Sequence, residues 1–335
     1  MASYIVRRIL LATFTVFVIS FLSFILIRAP EGDVIDSFVA KMENLHERRL
    51  SAEEEQEYRE MYGLTGSVFK QYGEWMGKIL LKGDFGNAWH QDNPTPIRET
   101  LISKFPPTIL LAAVTILITW TLAIPIGIYS AVRHNSIGDY VFTFLGFTGL
   151  AVPDFLLGLV LMYLFFEYFD MSVGGLFSGN FEREPWSLAK IWDLAKHMFI
   201  PAIVLGTSGT AGLIRIMRNN LLDELSKPYV ITARAKGQSS WRVVVKYPVR
   251  VALNPMVSGI GSMLPALVSG SVIVSVVLSL PTMGPVLLDA LSRRDQYLAG
   301  TIVMMFGALS VIGVLVSDLL LVLVDPRIRL TGPRD

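Results

Sequence analysis

Six stretches of this 335-residue chain are apolar for long enough to cross a bilayer as helices, a crossing that takes about 20 residues. They lie near 9–27, 107–132, 140–168, 198–214, 256–280 and 298–324. Inside lipid no water is available to backbone N–H and C=O groups, so each stretch must satisfy its own. The predicted fold class is therefore an all-α membrane protein with six transmembrane helices. Composition agrees, with 52% hydrophobic and only 17% charged residues. The fourth stretch is short, and it is expected to extend past Arg215, whose long side chain can snorkel.

The first stretch follows Arg7 and Arg8, as a signal peptide's core would. Its apolar run is longer than such a core, and Arg28-Ala29-Pro30 makes a poor cleavage site, so an uncleaved first span is expected. Orientation follows from Lys and Arg in the short flanks. Arg7 and Arg8 precede the first span, and Arg133 lies between the second and third. Eight basic residues against Asp223 and Glu224 occupy 215–250, and Arg327, Arg329 and Arg334 follow the last span. With six alternating spans these places share one side, which places both termini in the cytoplasm. The opposite side then holds 28–106, 169–197 and 281–297.

Other chemistries find no support. The net charge is +1 and no nucleic-acid module is present. The absence of cysteine excludes disulfides, iron–sulfur clusters and thiolate zinc sites. The four histidines, His46, His90, His134 and His197, form no metal-binding spacing. No GxxxxGK[ST] phosphate loop occurs, so the chain does not itself hydrolyse ATP.

The segment after the first span is long enough to fold. Ser51 with Glu54 makes a capping-box pattern, and a helix is expected over 50–82, burying some of Tyr58, Tyr62, Phe69, Tyr72 and Trp75. The run Glu53-Glu54-Glu55 is either a solvated face or a contact for a soluble external partner. Pro106-Pro107 marks the start of the second span. Pro125 and Gly127 lie within it, Pro153 in the third, Pro201 at the start of the fourth and Pro265 in the fifth. The fifth is rich in small residues, among them Ser258, Gly259, Gly261, Ser262, Ser269, Gly270 and Ser271. These permit close helix packing or line a passage for bulky solutes, with Ser262 and Ser269 as pathway candidates. Asp154 falls about 21 Å along the third stretch, near mid-membrane. An acid there is a functional candidate, unless it only bonds a neighbouring helix or backbone freed by Pro153. Asp318 reads as structural.

The densest signal is the basic run Pro228-Tyr229-Val230-Ile231-Thr232-Ala233-Arg234-Ala235-Lys236-Gly237. Pro228 suits a helix's first position and Gly237 the residue past its end. Arg234 and Lys236 complement the helix dipole. Ser239 or Ser240 can cap a second helix through Trp241, Val244 and Tyr247. The prediction is a helical elbow with a cationic tip. It is either an anchor on anionic lipid or, given the small Ala233 and Ala235, an element that enters a protein cleft.

This run resembles the signature loop of ABC-importer permeases in the form found in the dipeptide/oligopeptide permease family. The resemblance covers almost the whole chain. It includes Tyr4-Ile5-Val6-Arg7-Arg8-Ile9-Leu10, Tyr62-Gly63-Leu64, Gln71-Tyr72 with Trp75, and Gly83-Asp84-Phe85-Gly86. It continues through Phe105-Pro106-Pro107-Thr108, Ile124-Pro125-Ile126-Gly127 and Asp325-Pro326-Arg327-Ile328-Arg329. There are departures. The wider motif's Glu-Ala-Ala is Ile231-Thr232-Ala233, where the peptide subfamily usually has Arg for Ile231. Arg250 replaces the wider motif's proline, Pro248 is unusual, and Leu280-Pro281-Thr282-Met283-Gly284 stands for Trp-Pro-Gly-Leu-Gly.

The resemblance implies a multi-pass permease of a bacterial or archaeal cytoplasmic membrane, with a first span within 1–29, an extracytoplasmic helical insertion over 30–105 and a permease core over 106–335. The core contains the coupling loop, 215–255. It implies a second permease subunit, two cytoplasmic ATPase subunits that carry ATP and Mg2+, and an external binding protein that delivers peptides. Tyr229, Thr232, Ala233, Arg234, Ala235, Lys236, Gly237 and Trp241 would contact the ATPase, and the outer insertion would help dock the binding protein. Import of oligosaccharides or another solute by the same fold, secondary transport with Asp154 as proton carrier, and a membrane scaffold are the alternatives.

Overall fold

A computed structural model describes residues 2–28, 51, 53–54, 56–57, 66–88, 95–169, 174–293 and 295–324. Tyr58, Tyr62, His46, His90 and the tail from Asp325 lie outside them. Helix α1 is Ala2–Arg28 and α2 is Val68–Lys82. The two-residue strands β1 (Asn87–Ala88) and β2 (Thr95–Pro96) pair antiparallel, Asn87 opposite Pro96. Helices α3 (Ile97–Val132), α4 (Ile137–Ala151), α5 (Asp154–Phe169) and α6 (Leu188–Leu225) follow. Three short helices come next, α7 (Pro228–Ala235), α8 (Ser240–Lys246) and α9 (Pro248–Ala252). The last are α10 (Asn254–Val277), α11 (Met283–Ser292) and α12 (Gln296–Val324).

Among the described residues, four helices are long and apolar enough to cross a membrane, and up to six spans result if each of two bent pairs counts as one. The bent pairs correct the sequence reading. The expected third span, 140–168, is not one helix, because α4 and α5 meet at 103°. Pro153 has no N–H to donate and pushes the residue before it out of the helical region. Val152 accordingly sits at φ −83°, ψ 126° and closes α4 by donating to Thr148. The fifth span bends by 53° at Pro265. The fourth segment runs far beyond 198–214 at both ends. At about 57 Å it is nearly twice the hydrocarbon thickness. As expected, the helix continues past Arg215, whose exposed side chain places its guanidinium 4.7 Å from the centre of the Phe147 ring. The helix expected over 50–82 is interrupted. Ser51 and Glu54 do form the reciprocal capping bonds, 2.9 and 3.2 Å. A new helix then starts at Val68, capped by Ser67 after Gly66 at φ +97°.

The chain packs as two compact units, each discontinuous in sequence. One comprises 1–12, 107–285 and 309–335, with α6 at its centre, in contact with α4, α5, α9 and α10. One apolar cluster there gathers Leu111, Leu194, Met198, Val204, Val274 and Leu278. Another gathers Ala123, Met217, Leu221, Val249, Ala252 and Met256. Arg8 pairs with Asp318 at 2.8 Å, as the structural reading of Asp318 requires. The second unit comprises 13–106 and 286–308. Its core joins Phe24, Ile27, Tyr72, Trp75 and Met304.

Helix α10 crosses α12 at Gly261, where an added Cβ would stand 2.6 Å from the Val314 Cα, a backbone atom that cannot give way. At Gly259 the same atom meets nothing within 4 Å. Forced overpacking typically costs about 1–3 kcal/mol. Gly261→Ala is therefore expected to lower the melting temperature of the purified protein by several degrees, with Gly259→Ala leaving it unchanged or slightly raised. Thermal unfolding followed by size-exclusion chromatography compares the two.

Candidate functional site

The basic elbow folds as its punctuation predicts. Pro228 occupies the first turn of α7, and the Lys227 carbonyl accepts from Val230 and Ile231 at 3.0 and 3.3 Å. Gly237 ends the turn at φ +73°, a left-handed conformation that glycine adopts without strain, and donates to Arg234 O at 3.0 Å. Pro248 splits the second helix into α8 and α9. Two residues seal the elbow's inner side, since Val230 and Ala233 are buried against Val243 and Tyr247. Ala233 is thus not part of the outward surface expected of it. Tyr229, Thr232, Arg234, Ala235, Lys236, Gly237 and Trp241 are exposed. The Tyr229 hydroxyl donates to Glu224, and that of Thr232 donates back to Pro228 O at 2.8 Å.

The root of the elbow differs from its tip. Val244 of α8 and Val249 and Ala252 of α9 belong to the same apolar cluster as Met217 and Leu221 of α6 and Met256 of α10. The second and third short helices thus rest on two long helices through close-packed side chains. Five basic residues, Arg234, Lys236, Arg242, Lys246 and Arg250, are exposed across the three short helices. Within this field the Gln238 side chain hydrogen-bonds the Tyr247 phenol and holds it below the ordinary tyrosine range, helped by the charges of Lys246 and Lys236.

A second polar centre escaped the sequence reading. Asp139, 1% exposed, receives Arg218 Nε and Nη2 at 2.8 and 2.9 Å. It also accepts from Asn135 N at 3.0 Å, while Ser136 Oγ accepts from Asp139 N at 3.2 Å. This two-pronged geometry ties the α3–α4 turn to α6. Arg218 counted only as one of eight basic residues in the sequence, yet its charge is consumed in a pair. The legible half of the signal was Ser136-Ile137-Gly138-Asp139, a capping pattern opening α4.

The pathway candidates are not brought into one site. Asp154 is the first residue of α5, not a residue in mid-helix, and Ser208 Oγ of α6 donates to its carboxylate at 2.7 Å. That is the bond to a neighbouring helix allowed for at the outset. Ser262 and Ser269 are exposed on α10, seven residues apart and hence on one face, and Ser262 donates to Gly259 O within its own helix.

A third cluster was also missed. Residues 174–187, which precede α6, are pinned to its first turns. Asp193 accepts from the backbone and hydroxyl of Ser178, both at 2.7 Å, and His197 Nδ1 lies 2.9 Å from Asp193 O. Lys190, 6% exposed, donates to the carbonyls of Glu182 and Glu184 and lies 4.8 Å from the Phe177 ring centre.

Comparison with known proteins adds a family. Residues 123–330 match the family described as "Binding-protein-dependent transport system inner membrane component", a range that contains the bent pair, the elbow and α10. The oligopeptide transport system permease protein AppB of Bacillus subtilis is 35% identical over 329 residues, covering 98% of this chain and all of the relative. The dipeptide transport system permease protein DppB of Escherichia coli is 30% identical over 345 residues, 98% of this chain and 99% of the relative. The di/tripeptide transport system permease protein DppB of Pseudomonas aeruginosa is 30% identical over 349 residues, with the same coverage.

Removing the partly exposed Arg218 strands the buried Asp139 carboxylate, which keeps its bond from Asn135 N, at a cost of about 1–3 kcal/mol. Arg218→Met is expected to destabilise the protein on that scale, while Arg218→Met combined with Asp139→Leu recovers most of the loss. A double-mutant cycle on unfolding midpoints in detergent measures it.

Proposed function

The chain belongs to the binding-protein-dependent transport system inner membrane components, and from that premise we propose that it is a permease subunit of an ATP-driven peptide importer. The peptide class is supported by relatives named for oligopeptides, dipeptides and tripeptides along the full length of the chain. The observation that carries the reading is the elbow. Its exposed tip bears Arg234, Ala235 and Lys236, and its root lies in the cluster shared with α6 and α10.

In this reading α7 seats in a cleft of a cytoplasmic ATPase subunit, so that the elbow's side and both chain termini face the cytoplasm. Tyr229, Thr232, Arg234, Ala235, Lys236, Gly237 and Trp241 supply the contact, and Ala233 supports it from beneath. ATP and Mg2+ sit on the ATPase pair. A second permease subunit completes the pathway, and a binding protein delivers peptide to the opposite face. When the ATPases close, they shift α7. The Val230, Ala233 and Val243 packing passes the shift to α8, and Val249 and Ala252 pass it to the ends of α6 and α10. The breaks at Pro153 and Pro265 give the bundle places to change angle, so the same push can reorient α5 and α10 and alternate access. Ser262 and Ser269, with Ser258 and Ala266 on the same exposed face, offer small side chains and few fixed contacts, which suits cargo of varied sequence.

Two experiments test this. Gly237→Pro cannot adopt the left-handed turn, and Ala235→Trp blocks the tip. Each is expected to insert normally and to lower binding-protein-stimulated ATP hydrolysis in proteoliposomes about tenfold or more, the usual scale of coupling between sites. Unchanged stimulation in both variants removes the elbow from the coupling route. Asp154→Asn keeps an acceptor for Ser208 and removes the ionisable group. Substantial ATP-driven uptake is expected to survive it, with no dependence on a proton gradient. Complete loss of uptake in a well-assembled variant, with wild-type uptake that collapses under a protonophore at constant ATP, instead selects proton-coupled transport.

A further inference from the structure

The first span serves as a ruler for the segment that follows it. Helix α1 is unbroken, and its apolar run from Ile9 to Ile27 is about 27 Å long, close to the hydrocarbon thickness. Phe17 lies about 12 Å along that run and Phe24 about 22 Å. These are the residues that α2 touches. The Tyr72 ring meets Phe17, Phe21 and Phe24 at centroid distances of 5.9, 5.2 and 5.7 Å. Trp75 meets Phe24 at 5.5 Å, and Phe69 stacks on Phe21 at 5.8 Å. The Ser20 and Tyr72 hydroxyls share a buried hydrogen bond of 2.7 Å. A helix in contact with Phe17 through Phe24 stands at the depth of the membrane interior, not above it.

Part of the remaining surface of α2 is apolar and uncovered among the described residues, with the exposed Lys70 and Glu74 beside it. Phe69, Leu80 and Leu81 are 76%, 75% and 86% exposed. Gly73 and Gly77 lie between them on that side, with open space where a Cβ would be. The backbone groups at both ends of the helix are closed internally, as a segment in lipid requires. Ser67 Oγ accepts from Lys70 N, and Gly66 O from the Gln71 side chain at 2.9 Å. At the far end Gly83 donates to Ile79 O and Asp84 to Lys78 O. Lys70 pairs with Glu74 at 3.9 Å. Lys78 and Lys82 stand near the end where long side chains can reach headgroups.

We propose that α2 is embedded in the half of the bilayer remote from Arg7 and Arg8, with Phe69, Leu80 and Leu81 in contact with lipid acyl chains. The helix then anchors the insertion to the first span and to the membrane. Contact with the external binding protein falls to parts of the insertion other than α2. This goes beyond the importer reading and rests only on α1 crossing the membrane.

The chain has no cysteine, so single replacements can be labelled without background. In the assembled transporter in nanodiscs, spin labels at Leu80→Cys and Leu81→Cys are compared with Phe14→Cys in the span and Asn180→Cys in an exposed loop. Collisions with oxygen and with a water-soluble nickel chelate are measured. Both α2 sites are expected to match Phe14→Cys, with frequent oxygen collisions and loss of nickel collisions, unaffected by adding binding protein. Nickel access equal to that at Asn180→Cys puts α2 in water and overturns the proposal. Protection from both reagents, or a change on adding binding protein, assigns the face to a protein and also overturns it. Nickel access at Phe14→Cys itself removes the ruler and the proposal with it, leaving the elbow experiments to judge the importer reading separately.

Discussion

Each apolar segment of this chain must close its own backbone hydrogen bonds, and the positions where it is prevented from doing so shape the rest. Pro153 withholds a donor and forces Val152 into an extended conformation, so the segment leaves α4 and restarts as α5 at a steep angle. That restart puts Asp154 at the head of a helix, where its charge faces the favourable end of the dipole and Ser208 can reach it. Pro265 imposes a milder bend on α10. Around these breaks α6 stays continuous and acts as the spine against which α4, α5, α9 and α10 pack.

Three polar centres engage this spine. Asp139 and Arg218 fasten the α3–α4 turn to one end, Asp193 and Lys190 fasten residues 174–187 to the other, and Ser208 meets Asp154 between them. The elbow attaches near the Arg218 end through apolar contacts, with the Tyr229–Glu224 hydrogen bond beside them. Fixed polar ties with apolar packing beside them make a frame in which one element can be displaced while its neighbours keep their register. Packed apolar surfaces slide between discrete arrangements more readily than paired charges separate.

Much of this was legible in the sequence, for identifiable reasons. Apolar length announced the long helices, four on their own and up to six spans when each bent pair counts as one. Pro228 and Gly237 announced α7, because each residue has a restricted backbone meaning, and Ser51 with Glu54 announced a cap for the same reason. The break at Pro153 was less legible. A proline inside an apolar run is compatible with a kink or a full stop, and only neighbouring helices decide between them. The Asp139–Arg218 pair was illegible because its partners are 79 residues apart, and a count of basic residues treats a paired arginine like a free one. Burial of Ala233 also depended on tertiary contacts, since an alanine on a two-turn helix carries no mark of which side Val243 will cover.

The division of the elbow into a packed root and a bare tip has a consequence for how such a chain can diverge. Val230, Ala233 and Val243 are held by volume, so drift there is confined to exchanges of like size. Arg234, Ala235, Lys236 and Trp241 touch little of their own chain and are free to follow a neighbour. In the proposed importer reading, inheritance of a partner preference is thereby confined to a few surface positions. A duplicated copy could acquire a new associate by altering those positions alone, leaving the bundle beneath it untouched.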